Sequence, residues 1–96
     1  MTHRFIPEAT AELRAAIRKY ECEKTGLGRA FNLEVKAALG HITAFPEGSQ
    51  DVGDGVRRRC LKKFPFGLFY SIEGAEIVIV AVSHLHRDPD HWRDRL

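Results

Sequence analysis

Apolar residues along the chain recur at helical spacing in the first half and change to extended periodicity in the second. His3–Ile6 is a short β-prone opening. Pro7 follows with the fixed φ suited to a first helical position, and Glu8 is an anion favoured by the helix dipole. Ala9, Leu13, Ala16, Ile17 and Tyr20 then fall on one helical stripe, which Gly26 and Gly28 stop after Lys24. A second helix is predicted from about Arg29, with Phe31, Val35, Ala38, Leu39, Ile42 and Phe45 on its stripe and Pro46 and Gly48 at its end. Pro46–Gly55, PEGSQDVGDG, reads as a loop.

Three strands are predicted after it, over Val56–Lys63, Phe64–Glu73 and Glu76–His84, with a hairpin turn at Glu73-Gly74-Ala75. Phe64, Phe66, Leu68, Tyr70 and Ile72 alternate onto one face. EIVIVAVSH is apolar on both faces, as expected of a central strand covered by helices on one side. The pattern predicts an α+β fold: an N-terminal strand, a two-helix hairpin and a three-stranded antiparallel meander, in one domain over residues 1–96. The hairpin should cover one sheet face, leaving the other partly available to partners. Leu13, Ile17, Val35, Leu39, Leu68, Tyr70, Ile77 and Ile79 are the expected core.

A length of 96 residues exceeds the ~70–80 below which a lone core tends to need disulfides or metals. Two cysteines, Cys22 and Cys60, lie in the predicted helix and strand and are expected to be buried and inert. They fit a reducing cytoplasm. The longest apolar run, Ile77–Val82, has six residues, far from the ~20 of a membrane helix.

The net charge of +2 is mild, but Arg57–Lys63, RRRCLKK, holds five cations in seven positions. Period-two geometry puts Arg57 and Arg59 on one face and Arg58 on the other. Such a strand reads either as an edge whose charges discourage pairing or as a surface facing an anionic partner. His84, His86 and His91 stand with Asp88 and Asp90 in HLHRDPDH, but the proline inside and the spacing argue against a metal site. Neither a metal nor another cofactor is expected. Ribonuclease chemistry without a metal needs a base, cations and an acid. His84 or His86 could be the base, Arg57, Arg58 or Arg87 the charge stabiliser, and His91 the acid, if they share one face. Trp92 is expected to close the end of the sheet by packing.

PEATAEL at Pro7–Leu13, TGLGRAF at Thr25–Phe31, FPFGLFY at Phe64–Tyr70 and IVAVSHLHRDPDHWRDR at Ile79–Arg95 stand in the order and spacing of the RelE/ParE toxin superfamily. The chain resembles that superfamily over essentially its whole length. The closing block, with His84, Arg87, Pro89, Trp92 and Arg93, is most similar to the ParE-like branch. The resemblance implies the toxin of a type II toxin–antitoxin pair, held in a hetero-oligomer by a cognate antitoxin. Its target would be DNA gyrase for a ParE-like member, or ribosome-bound messenger RNA for a RelE-like endoribonuclease. A degenerate, non-toxic binding module is the third possibility. RelE-like enzymes usually place a tyrosine or histidine near where Trp92 stands, and an indole transfers no proton, so the gyrase reading is favoured. Arg57, Arg58, Arg59, Lys62, Arg87, Trp92 and Arg93 are the residues expected to contact target or antitoxin. The protein as purified should bind no stoichiometric zinc; elemental analysis finding one zinc per chain, lost when His84 and His86 are replaced by alanine, would contradict this.

Overall fold

The computed structural model describes residues 1–96. In chain order the elements are β1 (Thr2–Phe5), α1 (Pro7–Glu23), α2 (Leu27–Ala44), β2 (Gln50–Gly53), β3 (Val56–Cys60), β4 (Phe66–Glu73), β5 (Glu76–His84) and a closing 3-10 turn, Arg93–Arg95. The strands form one sheet in the order β1-β5-β4-β3-β2. β1 lies parallel to β5, and every other pairing is antiparallel. The helical hairpin is the crossover that lets β1 pair in parallel with a strand far along the chain.

α1 begins at Pro7 as predicted. α2 begins at Leu27, earlier than the expected Arg29, because Glu21 caps it from the preceding helix. Its carboxylate accepts from the Gly26 and Gly28 N–H groups at 3.0–3.1 Å. Gly28 therefore sits inside the first turn, where the helices touch: a β-carbon there would lie 2.7 Å from the Ile17 carbonyl oxygen. Phe45, expected on the apolar stripe, is instead the exposed residue after the last turn.

The segment read as a loop contains a fifth strand. β2 pairs with β3 through Gln50↔Arg58, Asp51↔Arg57 and Gly53↔Val56, with a bulge at Val52. The turn joining them runs through Gly53, Asp54 and Gly55, all at positive φ, which two glycines and an aspartate permit. With only four residues and one β-branched side chain, β2 carries little periodic signal. Its presence makes β3 an inner strand, so the edge-strand reading of the arginines is wrong. β3 also stops at Cys60 rather than Lys63. The Lys62 and Lys63 N–H groups turn away from the ladder to Glu34 of α2, at 2.9 and 3.1 Å, and Pro65, which cannot donate, delays β4 to Phe66.

The main core lies between hairpin and sheet. Phe31, Val35, Ile42, Leu68, Tyr70, Ile77 and Ile79 are enclosed, while Leu13, Ile17 and Leu39 flank them half-buried. Tyr20 and Phe31 stack at 5.3 Å, and Phe64 meets them edge-on at 4.8 and 5.1 Å. Tyr70 reaches through the core, its hydroxyl donating to the Pro46 carbonyl at 2.6 Å and tying the end of α2 to the sheet.

Strict alternation would keep Ile77, Ile79, Ala81 and Ser83 on the helical face. The β4–β5 register instead skips Val80: Tyr70 opposes Ile79, and Phe69 opposes Ala81. This bulge turns Val80 and Ala81 together to the far face and returns Val82 to the main core. On the far face Val56, Phe69, Val78, Val80, Ala81 and Trp92 form a second apolar cluster. The chain after β5 folds over that face, which is therefore less open than expected. Both cysteines are exposed, contrary to expectation. Cys22 lies off the α1 stripe, and Cys60 closes β3 beyond the reach of β2.

Ile42 is fully enclosed, so Ile42→Ala should cost about 2–5 kcal/mol. The half-buried Leu39→Ala should cost less, and exposed Arg14→Ala almost nothing; chemical denaturation of the three variants checks the order.

Candidate functional site

The five cations of Arg57–Lys63 fall into two groups. Arg57, on the helical face, donates to the Ser49 carbonyl at 2.9 Å and the Glu47 carbonyl at 3.3 Å, securing the chain that leads into β2. Arg58, on the far face, donates to Gln50 Oε1 at 2.8 Å while its stem lies over Gly67. Its Nε is buried without a partner. The side chains of Arg59, Lys62 and Lys63 donate to no protein acceptor and stay available for an external anion.

The segment after β5 is anchored by charge. Arg93 pairs with Asp90 at 2.8 Å and with Asp54 of the β2–β3 turn, and its guanidinium lies 4.5 Å from the Trp92 ring centroid. Trp92 has no exposed surface and packs on Phe69. That burial matches the expected packing role and removes Trp92 from the contacting set, because an enclosed indole meets no partner. Its Nε1 finds no acceptor.

Arg87 and Arg95 converge on Glu12 of α1. Arg95 makes a bidentate pair with Glu12 at 2.8 and 2.9 Å, and Arg87 adds a contact at 2.6 Å. The same carboxylate accepts from the Val82 N–H at 3.1 Å, and Arg95 donates to the Val80 carbonyl at 2.9 Å. Burial by itself pushes the Glu12 pKa up. The hydrogen bonds from Arg95, Val82 and Arg87, with the Arg95 charge, outweigh it and hold the carboxyl below its ordinary value.

Arg58, His84, Arg87 and His91 line one narrow hollow of about 90 Å³ with Asp88 and Asp90. Arg57, on the helical face, and His86 are not among the residues that line it. His84 Nδ1 accepts from the His86 N–H at 3.1 Å. His91 Nδ1 donates to the Asp88 carbonyl at 2.8 Å, leaving Nε2, in the neutral ring, to accept from the Ser83 hydroxyl at 2.5 Å. Ser83 beside a histidine has the look of a nucleophile and base, but at 2% exposure it meets no substrate. His91 is thus committed at both ring nitrogens and His84 at Nδ1, and two carboxylates, Asp88 and Asp90, line the hollow where a phosphate would approach. The histidines and aspartates assemble no metal-binding group.

The first-half pattern hid Glu12, although the signal was there: a charged residue one turn from Ala9 and Ala16 on an apolar helix stripe needs a buried partner. Ser83, Glu34 and Arg95 had no comparable marker.

The family described as "ParE toxin of type II toxin-antitoxin system, parDE" matches residues 4–89. This chain belongs to the ParE toxin family. A chain from the "Chromosomal ParDE TA system from P. aeruginosa" superposes with a TM-score of 0.65 at 20% identity, covering 88% of this chain and 95% of that one. At that identity the likeness speaks for the fold. No curated protein sequence matches. The ParE toxin assignment places the chain in a two-component system with an antitoxin, and no helix is long and apolar enough to cross a membrane.

Glu12→Gln should destabilise by about 1–3 kcal/mol at neutral pH, since it leaves the mostly buried Arg95 without its counter-charge. A carboxyl depressed in the folded state stabilises above its ordinary value of 4.5 and loses that contribution as pH falls through the folded value. Urea midpoints of the two proteins should therefore converge in acid; a gap that persists unchanged would show that the charge is not what matters.

Proposed function

We propose that this ParE-family toxin arrests growth in the cytoplasm by poisoning DNA gyrase, and that a cognate antitoxin neutralises it in a hetero-oligomer. The family match over residues 4–89 carries this reading. The geometry around the hollow supports it. A ribosome-dependent endoribonuclease needs a free base, a free acid and unpaired cations at one point. Here His91 is held at both nitrogens, Arg87 is held by Glu12, and the aromatic after His91 is a buried indole. Binding a protein target asks only for surface, and Arg59, Lys62 and Lys63 supply unpaired positive charge for one.

Two assays on antitoxin-free protein separate the targets. Gyrase supercoiling should be inhibited with accumulation of cleaved plasmid, and primer extension on translated message should show no new ends. Codon-dependent cuts abolished by His84→Ala or Arg87→Ala, with gyrase unhindered, would establish the ribonuclease instead.

A further inference from the structure

The flank of β5 beyond Ile79 has no strand beside it, because β1 pairs with β5 over Glu76 to Ile79 and then leaves the sheet. Alternation of the backbone decides what that flank presents. The Val82 N–H points to it and is taken by Glu12 of α1 at 3.1 Å, so the Val82 carbonyl and the His84 N–H point the same way. The backbone of Ser83, between them, turns to Gly67 of β4. Along this flank lies a cleft of about 260 Å³, with Ala15, Ala16 and Lys19 of α1 on one side and Val82 to His84 on the other.

The cleft joins an apolar floor to basic side chains. Ala15 and Ala16 are small enough to leave the space, and Lys19 and Arg87 line it with His84. His84 Nδ1 accepts from the His86 N–H at 3.1 Å, which leaves the proton of the neutral ring on Nε2 as a further donor. Glu12, the one acid of the lining, is already answered by Arg87 and Arg95. Phe66 is buried in the core and offers a nucleobase no stacking face. The volume exceeds the about 150 Å³ that holds a benzene ring, so one residue with a valine- or leucine-sized side chain fits.

The spacing of the two open backbone groups selects the ligand. A residue on a parallel neighbour donates its N–H to the carbonyl before the residue it faces and accepts from the N–H after it. Val82 and His84 offer that pair around Ser83. An antiparallel neighbour would need the N–H and the carbonyl of Val82 together, and Glu12 holds the first. Towards Val80 the flank is filled by Glu12 and Arg95, so a chain end enters where a through-running strand does not. We propose that this cleft binds the C-terminal residue of a polypeptide. Its amide N–H meets the Val82 carbonyl, its free carboxylate meets the His84 N–H with Lys19 and Arg87, and its apolar side chain lies on Ala15 and Ala16. Strand addition and capture of a terminal carboxylate are combined in one site.

The probe is a short synthetic peptide of serine and glycine that ends in valine with a free carboxylate, labelled with fluorescein at its N-terminus and followed by anisotropy against the full chain. It should bind saturably, and N-acetylvaline, which carries every recognised group, should displace it. The same peptide ending in a carboxamide should bind about tenfold more weakly, its charge-assisted bonds being lost. Lys19→Glu should weaken the free acid about fivefold to tenfold, an exposed attraction being lost and reversed. Ala15→Gln, which fills the floor without changing charge, should weaken it too, and Arg14→Glu, outside the cleft, should leave it unchanged. Hydrogen exchange at the His84 amide should slow when the acid is bound. No saturable binding, a carboxamide that binds as tightly as the acid, wild-type affinity in the Lys19→Glu or Ala15→Gln chain, or unaltered exchange at His84 would each overturn the proposal.

Discussion

β1 pairs with β5 only as far as Ile79, because the chain must leave the sheet at Ile6 to enter α1. Beyond that point the flank of β5 lacks a strand neighbour, and side chains complete it: Glu12 takes the Val82 N–H, and Arg95 takes the Val80 carbonyl. Backbone groups of this kind, left without partners in a nearly dry setting, cost as much as a lost hydrogen bond. Glu12 and Arg95 are themselves charged and mostly buried, which is tolerable because each answers the other with fork geometry. One ion pair therefore joins the first helix, the central strand and the last residues of the chain.

The bulge at Val80 lies beside that pair and decides what each face of the sheet carries. With one residue skipped, Val82 joins the main core and Ser83 turns to the far face, where it meets His91. His84 returns to the helical side against Phe66. The bulge thus sets how the histidines of HLHRDPDH face: His84 and His91 border one hollow from different sides, and His86 does not line it. The far face, which would otherwise expose Phe69, Val78 and Val80, is closed by Trp92, and Arg93 fastens that lid to Asp54.

Charge along β3 is divided by the same logic. Once β2 lies alongside, Arg57 and Arg58 have backbone and amide oxygens within reach and serve the fold. Past Cys60 the strand has no such neighbour, and the cations there face solvent. Guanidinium forks suit fixed internal acceptors, while flexible lysines at a turn remain suited to a mobile partner. Cations that hold the fold and cations left without protein partners consequently fall on consecutive residues of one basic run.

The sequence by itself determined the fold class, both helices, the hairpin stop and the two long strands, because each is written in local periodicity: Phe31, Val35, Ala38 and Ile42 mark α2, and Phe66, Leu68 and Tyr70 mark β4. Its wording over the same segments also marked the ParE-like family. Tertiary structure alone decided the rest. β2 is too short to have a period and exists because β3 offers it a ladder. The bulge removes one residue from the count, which alternation cannot foresee, and with it goes the facing of Ser83 and His84. Cys22 and Cys60 lie in regular elements, yet only the outline of the assembled core shows them outside it. Whether an arginine in RRRCLKK serves the fold or a partner depends on which oxygens stand within about 3 Å of it, and those oxygens come from Ser49, Glu47 and Gln50, placed there by a strand that local sequence pattern does not announce.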